Sequence, residues 1–172
     1  MTIGAFRCGL GSQVLVIKLV PHACGVFDES RIDEGIVGDD EVVIRACDAM
    51  EEEGVVEFEV TGFGLGEWPV DVGYDLATVV TDLSVAYAHV SAGGGVGEAF
   101  DIDFCGQGVE RLIRGVVMED EVLLTLEDRL EPSRNESMRV PREELADMLG
   151  WLLCDFSVHA ARLLGNAGGR TP

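Results

Sequence analysis

Residues 54–69 read GVVEFEVTGFGLGEWP, a stretch that joins a half-buried strand, a glycine-loosened loop and an indole. Val56, Phe58 and Val60 share one parity and Glu57, Glu59 and Thr61 the other, the period-two signal of a strand with one face in a core and one in water. The watery face is acidic. Gly62, Gly64 and Gly66 admit backbone conformations closed to other residues, and Trp68-Pro69 ends the excursion just before a helical pattern begins.

Downstream, Leu76, Val79, Val80, Leu83, Ala86, Tyr87 and Val90 recur at the three- and four-residue steps of an amphipathic helix, which predicts a helix over about 74–91. An acid near its start, at Asp71 or Asp75, complements the helix dipole, His89 in its last turn complements the other end, and Ser91–Gly95 stops it. Three strands are expected next. Glu98–Cys105 sets Phe100, Ile102 and Phe104 against Asp101 and Asp103, repeating the acidic face of Glu57 and Glu59, and Val109–Met118 and Val122–Glu127 follow across Glu119-Asp120 as a meander. Glu131–Arg139 reads as a polar loop. A closing helix over about 141–164 starts at Pro141 with Glu143 and Glu144 in its first turn, buries Leu145, Met148, Leu149, Leu152, Leu153, Phe156, Ala160 and Leu163, and stops at Gly165. Trp151 and His159 on that helix read as packing residues.

Upstream, Gln13–Val20 has the β-branched content of a strand ended by Pro21. Asp28–Asp40 is acid- and glycine-rich and reads as an exposed loop. Glu41–Cys47, with Val42, Ile44 and Ala46 on one parity, reads as a second strand that turns through Met50–Gly54 into the Glu57–Thr61 strand as a hairpin. The whole predicts an α+β fold: a mostly antiparallel sheet with the two helices packed on one face, in a single domain over 1–172 with flexible ends at 1–12 and 166–172.

A chain of 172 residues buries enough surface to stand without staples, and no apolar run approaches the roughly 20 residues of a membrane span. With no secretory signal evident either, the expected location is the cytoplasm. Five scattered cysteines without a CxxC pair predict free thiols, all reduced, and His22-Ala23-Cys24 lacks the second ligand pair that a zinc site needs, so no metal is expected. The 32 acids against 12 bases give a net charge of −20, which opposes binding to nucleic acid and anionic membrane and favours a basic protein partner. The single lysine, Lys18, makes compositional habit a second source of that acidity.

No chemistry-bearing pattern is complete. The Gly62–Gly66 and Gly93–Gly97 segments lack the full phosphate-loop spacing and its lysine, and neither the three histidines nor any acid pair is fixed into a catalytic group, so no catalytic, cofactor-binding or metal-binding residue is assigned. In FEVTGFGLGEWPVDV, DIDFCGQGVERLIRGVVMEDEVLLTLED and VPREELADML, over residues 41–164, the chain resembles the small acidic immunity proteins of bacterial polymorphic-toxin systems. The acidic segment before residue 41 departs from their compact pattern. The resemblance implies a cytosolic protein without chemistry of its own that binds and blocks a cognate toxin domain. Glu57, Glu59, Asp101 and Asp103 are then expected on the solvent face of one sheet as a negative patch for that basic partner, with Trp68 either a packed anchor at the interface or a core residue closing one end of the sheet. The rival expectations are a small-molecule enzyme or ligand-binding domain with a pocket between sheet and helices, and a structural oligomerisation module.

Overall fold

Aspartates set the starts of most helical segments in the first half of the chain. In a computed structural model describing residues 15–91, 95–104 and 109–167, Asp28, Asp33, Asp39 and Asp71 each turn a side-chain oxygen onto backbone N–H groups two to four residues further along the chain, in the segment that follows. That satisfies donors that have no partner within a helix. The expected loop at 28–40 is therefore folded into a 3₁₀ turn at Glu29–Arg31, the short helix α1 (Glu34–Val37) and the start of α2 (Asp40–Glu53).

Helix α2 replaces the strand expected at Glu41–Cys47. Its buried residues are Val43, Ala46, Cys47 and Met50, a helical repeat, while Ile44 from the supposed strand face is half exposed. Asp39 caps the start, accepting from the Glu41 and Val42 N–H groups, and Gly54 ends the helix in the left-handed conformation at φ 59°. The hairpin expected with the next strand is consequently absent. Strand β2 (Glu57–Thr61) pairs antiparallel with β1 (Val16–Val20), from Val16 opposite Thr61 to Val20 opposite Glu57.

The chain then crosses the glycine loop, makes a π-helical turn at Val72–Leu76 and enters α3 (Ala77–Val90), so the expected helix at 74–91 is present with a widened first turn. Strands β3 (Ala99–Phe104), β4 (Arg111–Val117) and β5 (Glu121–Asp128) form the meander read from the sequence, and β6 (Glu136–Pro141) adds a fourth antiparallel strand where a polar loop was expected. Helix α4 (Arg142–Ala167) follows at once and runs through Gly165. Among the described residues the fold is α+β, with four α-helices and two antiparallel sheets of two and four strands. The expectations for the two chain ends, Cys8 and Cys105 fall largely outside the described residues.

One hydrophobic core takes residues from both sheets and all four helices. At its centre Phe58 of β2 stacks on Phe104 of β3, with ring centroids 6.5 Å apart. Gly115 of β4 lies opposite Phe100 of β3, and a Cβ there would overlap the Phe100 ring, so the glycine is what lets that ring lie across the strand. Helix α3 runs beside the outer edge of β3, where Asp82 accepts the Asp103 N–H at 3.0 Å and thereby covers part of that edge.

Candidate functional site

The four acids expected to form one patch are divided between two sheets. Glu57 and Glu59 lie on β2 of the two-stranded sheet, Asp101 and Asp103 on β3 of the four-stranded one. This corrects the one-sheet arrangement, and the cause is α2: once 41–47 is helical, β2 takes β1 as its partner and not the meander. Three of the four acids are also paired. Glu59 meets Lys18 at 2.9 Å, Asp101 meets Arg114 at 3.9 Å, and Asp103 takes both terminal nitrogens of Arg129, at 3.1 and 2.9 Å. Cross-strand register does this, since Lys18 stands opposite Glu59 and Arg114 opposite Asp101. Arg114 also reaches Glu127 at 3.4 Å, and Arg139 reaches Glu121 at 3.0 Å, so the water-facing side of the larger sheet is a mixed-charge lattice.

Trp68 is 2% exposed and belongs to the core. Its ring meets Phe104 edge-on at 5.2 Å and carries the Arg111 guanidinium 4.7 Å above its centroid. Arg111 in turn meets Asp128, directly opposite on β5, at 3.2 Å. Asp128 also accepts the N–H groups of Leu130 and Glu131 at 3.1 and 2.8 Å. Burial acts to raise its pKa, but the Glu131 N–H, Arg111 and the Leu130 N–H together hold it below the ordinary aspartate value. This arrangement closes one end of the larger sheet, the core alternative foreseen for Trp68.

The acidity collects on the surface of α1 and α2. Residues 33–57 carry ten carboxylates, Asp33, Glu34, Asp39, Asp40, Glu41, Asp48, Glu51, Glu52, Glu53 and Glu57, against one base, Arg45. All ten residues are exposed, and none is in an ion pair among the described residues. Thr81 Oγ1 donates to Asp40 at 2.9 Å, and Glu51 lies against Gly73, so α2 and the segment 73–81 run side by side in opposite directions. Between these ties stand two half-exposed apolar side chains, Ile44 and Tyr74. The sequence showed the charge and misjudged its support: Asp33, Glu34, Asp39 and Asp40 were assigned to a loop and Glu41 to a strand, and the caps at Asp33 and Asp39 were the signal for helices.

A second polar cluster was missed. Asp155 of α4 is fully buried and accepts three hydrogen bonds from consecutive residues: His22 Nδ1 at 2.6 Å, Ala23 N–H at 2.8 Å and Cys24 N–H at 2.7 Å. Cys24 and Cys154 are joined in a disulfide, which corrects the expectation that all cysteines are free; Cys47 is a buried free thiol. Their separation of 130 residues is why no local spacing reveals the pair. Trp151 lies between His22 and Phe27, at centroid distances of 6.2 and 5.7 Å. His159 is buried one turn further along, and desolvation holds its imidazole below the usual histidine range. The remaining histidine, His89, pairs with Glu98 at 2.7 Å at the end of α3.

Among the described residues no group of three or more His, Cys, Asp or Glu side chains is placed to hold a metal, and no helix is long and apolar enough to cross a membrane. A depression of about 400 Å³ opens at the end of the β4–β5 pair, lined by Arg114, Thr125, Leu126, Glu127, Asp128, Arg129, Pro132 and Asn135. No residue of α3 or α4 lines it, so it is not the pocket between sheet and helices that a ligand-binding domain was expected to carry. No protein-family model matches the chain, and comparison with curated proteins and with solved structures finds no significant match.

Proposed function

We propose that this chain is a non-enzymatic, antitoxin-like protein that binds and blocks a cognate basic protein domain, and that it does so through the acidic surface of α1 and α2. In this arrangement α3 and α4 back one side of the larger sheet, and α1 and α2 carry the contact surface. The observation that carries the reading is the contrast between two sets of carboxylates. On the sheets, Glu59, Asp101 and Asp103 each meet a lysine or arginine; on α1, α2 and their caps, nine acids face a single arginine and no ion pair among the described residues. Unneutralised charge of one sign raises the rate at which an oppositely charged partner arrives. Ile44 and Tyr74 add apolar contact area inside the charged field, and a tyrosine so placed suits an interface centre. Occupying the basic surface with which such a domain meets phosphates is enough to block it, without catalysis.

The test is growth rescue followed by affinity measurement with the purified partner. Expression of the partner domain alone is expected to arrest growth, and co-expression of this chain to restore it. Glu41→Lys, Asp48→Lys and Glu52→Lys together should abolish rescue and weaken binding at least about 100-fold, since each charge in close contact with an arginine is worth roughly 2 kcal/mol or more. The corresponding change at the paired acids Asp101 and Asp103 should alter binding far less. If the order is reversed, the contact surface lies on the sheet; if no basic partner binds, the reading fails.

A further inference from the structure

Residues 21–28 have no strand or helix of their own, yet they are fixed to α4 by two devices on consecutive residues: the three hydrogen bonds to Asp155 and the disulfide from Cys154 to Cys24. The disulfide itself is buried, but the chain next to Cys24 is open: a Cβ on Gly25 would meet nothing within 4 Å, and Val26 is 76% exposed. Because no backbone ladder holds this segment, it can open locally without disturbing the sheets or helices. A chain with a core of this size has no need of a covalent staple, so the cross-link calls for another role. His22 stands two residues before Cys24 with Nδ1 tied to Asp155, which fixes the ring and leaves Nε2 without a partner among the described residues, on a side chain about a third exposed.

We propose that Cys24 and Cys154 form a reversible dithiol–disulfide couple that exchanges with low-molecular-weight thiols and disulfides of the glutathione type, with His22 as the proton acceptor for Cys24. Starting from the dithiol, the Cys24 thiol passes its proton to His22 Nε2, and the thiolate attacks one sulfur of the external disulfide. A mixed disulfide forms on Cys24, and the released thiolate takes the proton back from His22. The Cys154 thiol then attacks the Cys24 sulfur, breaking the mixed disulfide, and the second leaving thiolate departs with the Cys154 proton. Two electrons pass from the protein to the external disulfide, which ends as two thiols. Cys24 is the entry point because it lies on the segment that can open, whereas Cys154 is fully buried in α4. Cys47 serves as an internal control: desolvation, with Asp48, Glu51 and Asp71 adding to it, pushes its thiol up to about 12, so it supplies little thiolate.

The full chain would be equilibrated at pH 7.5 with glutathione and its disulfide over a wide series of ratios, quenched in acid, alkylated and mapped by peptide mass spectrometry. Cys24 and Cys154 are expected to pass together from thiol to disulfide across the series while Cys47 stays a thiol. Cys154→Ser should accumulate glutathione on Cys24, and, should that variant fold poorly, rapid quenching of the unmodified chain should trap the same adduct. His22→Asn should slow oxidation about tenfold, the share of thiolate that a base can add for an ordinary cysteine near this pH. A pair that stays closed or stays open at every ratio overturns the couple, as does pairing of either residue with another cysteine. An unchanged rate in His22→Asn, with the titration intact, overturns the role of the histidine.

Discussion

Two buried aspartates set opposite dependences on pH, and a single substitution in each separates them. Asp75 is 4% exposed, accepts the Asp71 N–H at 2.9 Å on one oxygen, and has no hydrogen-bond partner on the other among the described residues. Burial raises its pKa, the Asp71 charge adds to the rise, and the Asp71 N–H opposes it. A folded pKa above the unfolded one means that the native state binds more protons between the two values, so stability falls as pH rises through that window and stays lower above it. Asp128 is the reverse: its folded pKa is lowered, so it contributes stability above the ordinary aspartate value that is lost as pH falls through that value toward the folded one. Urea unfolding between pH 3 and 8 should show Asp128→Asn destabilised by roughly 1.5–3 kcal/mol at neutral pH, the worth of a hydrogen bond to a charged group, with the deficit shrinking in acid. Asp75→Asn should gain on the unmodified protein as pH rises. Parallel curves for either variant would show that its carboxylate titrates as it does in the unfolded chain.

At the scale of the element, what the sequence made legible depended on whether one period dominated. Strands β2 to β5 and helices α3 and α4 were readable because their apolar residues follow one repeat without competition. Helix α2 was not, because Val42, Ile44 and Ala46 alternate as a strand does while Val43, Ala46, Cys47 and Met50 follow the helical repeat, and the two sets share Ala46. The caps decided between them. Asp39 holds two N–H groups and Gly54 supplies the left-handed stop, information carried by single residues and not by a pattern. Strand β6 was hidden for a different reason: only Met138 and Val140 on its inner side are apolar, and β5 supplies the rest of the register. Asp39→Ala should therefore cost about 0.5–2 kcal/mol. Faster hydrogen exchange should be confined to the Glu41 and Val42 amides and their neighbours, while Asp40→Ala, which removes no cap, should leave these amides protected. Equal effects from the two changes would place the helix's stability in its packing alone.

For the molecule as a whole, composition gave the amount of charge but not its location, because neutralisation is decided by register. Asp101 and Arg114 are thirteen residues apart in sequence and opposite one another across two strands, and the same holds for Lys18 and Glu59 over a longer separation. With those pairs formed, the excess of acid falls on α1, α2 and their caps, where nine carboxylates repel one another around Arg45. A surface kept ready for a basic partner should lower the stability of the free chain, since self-repulsion acts against the compact state. The repulsion is between exposed groups, and salt screens such groups beyond about 10 Å at 0.1 M. The thermal midpoint of the free chain should accordingly rise as sodium chloride is increased from about 0.02 to 0.2 M, the range over which the screening length contracts from more than 20 Å to less than 10 Å. Glu41→Lys, Asp48→Lys and Glu52→Lys together should raise the midpoint at low salt and flatten its dependence, whereas Arg114→Ala, which releases Asp101 and Glu127, should steepen it. A midpoint that falls with added salt would mean that the attractive lattice on the sheets outweighs repulsion on the helices. The acidic surface of α1 and α2 would then carry no cost for a partner to relieve.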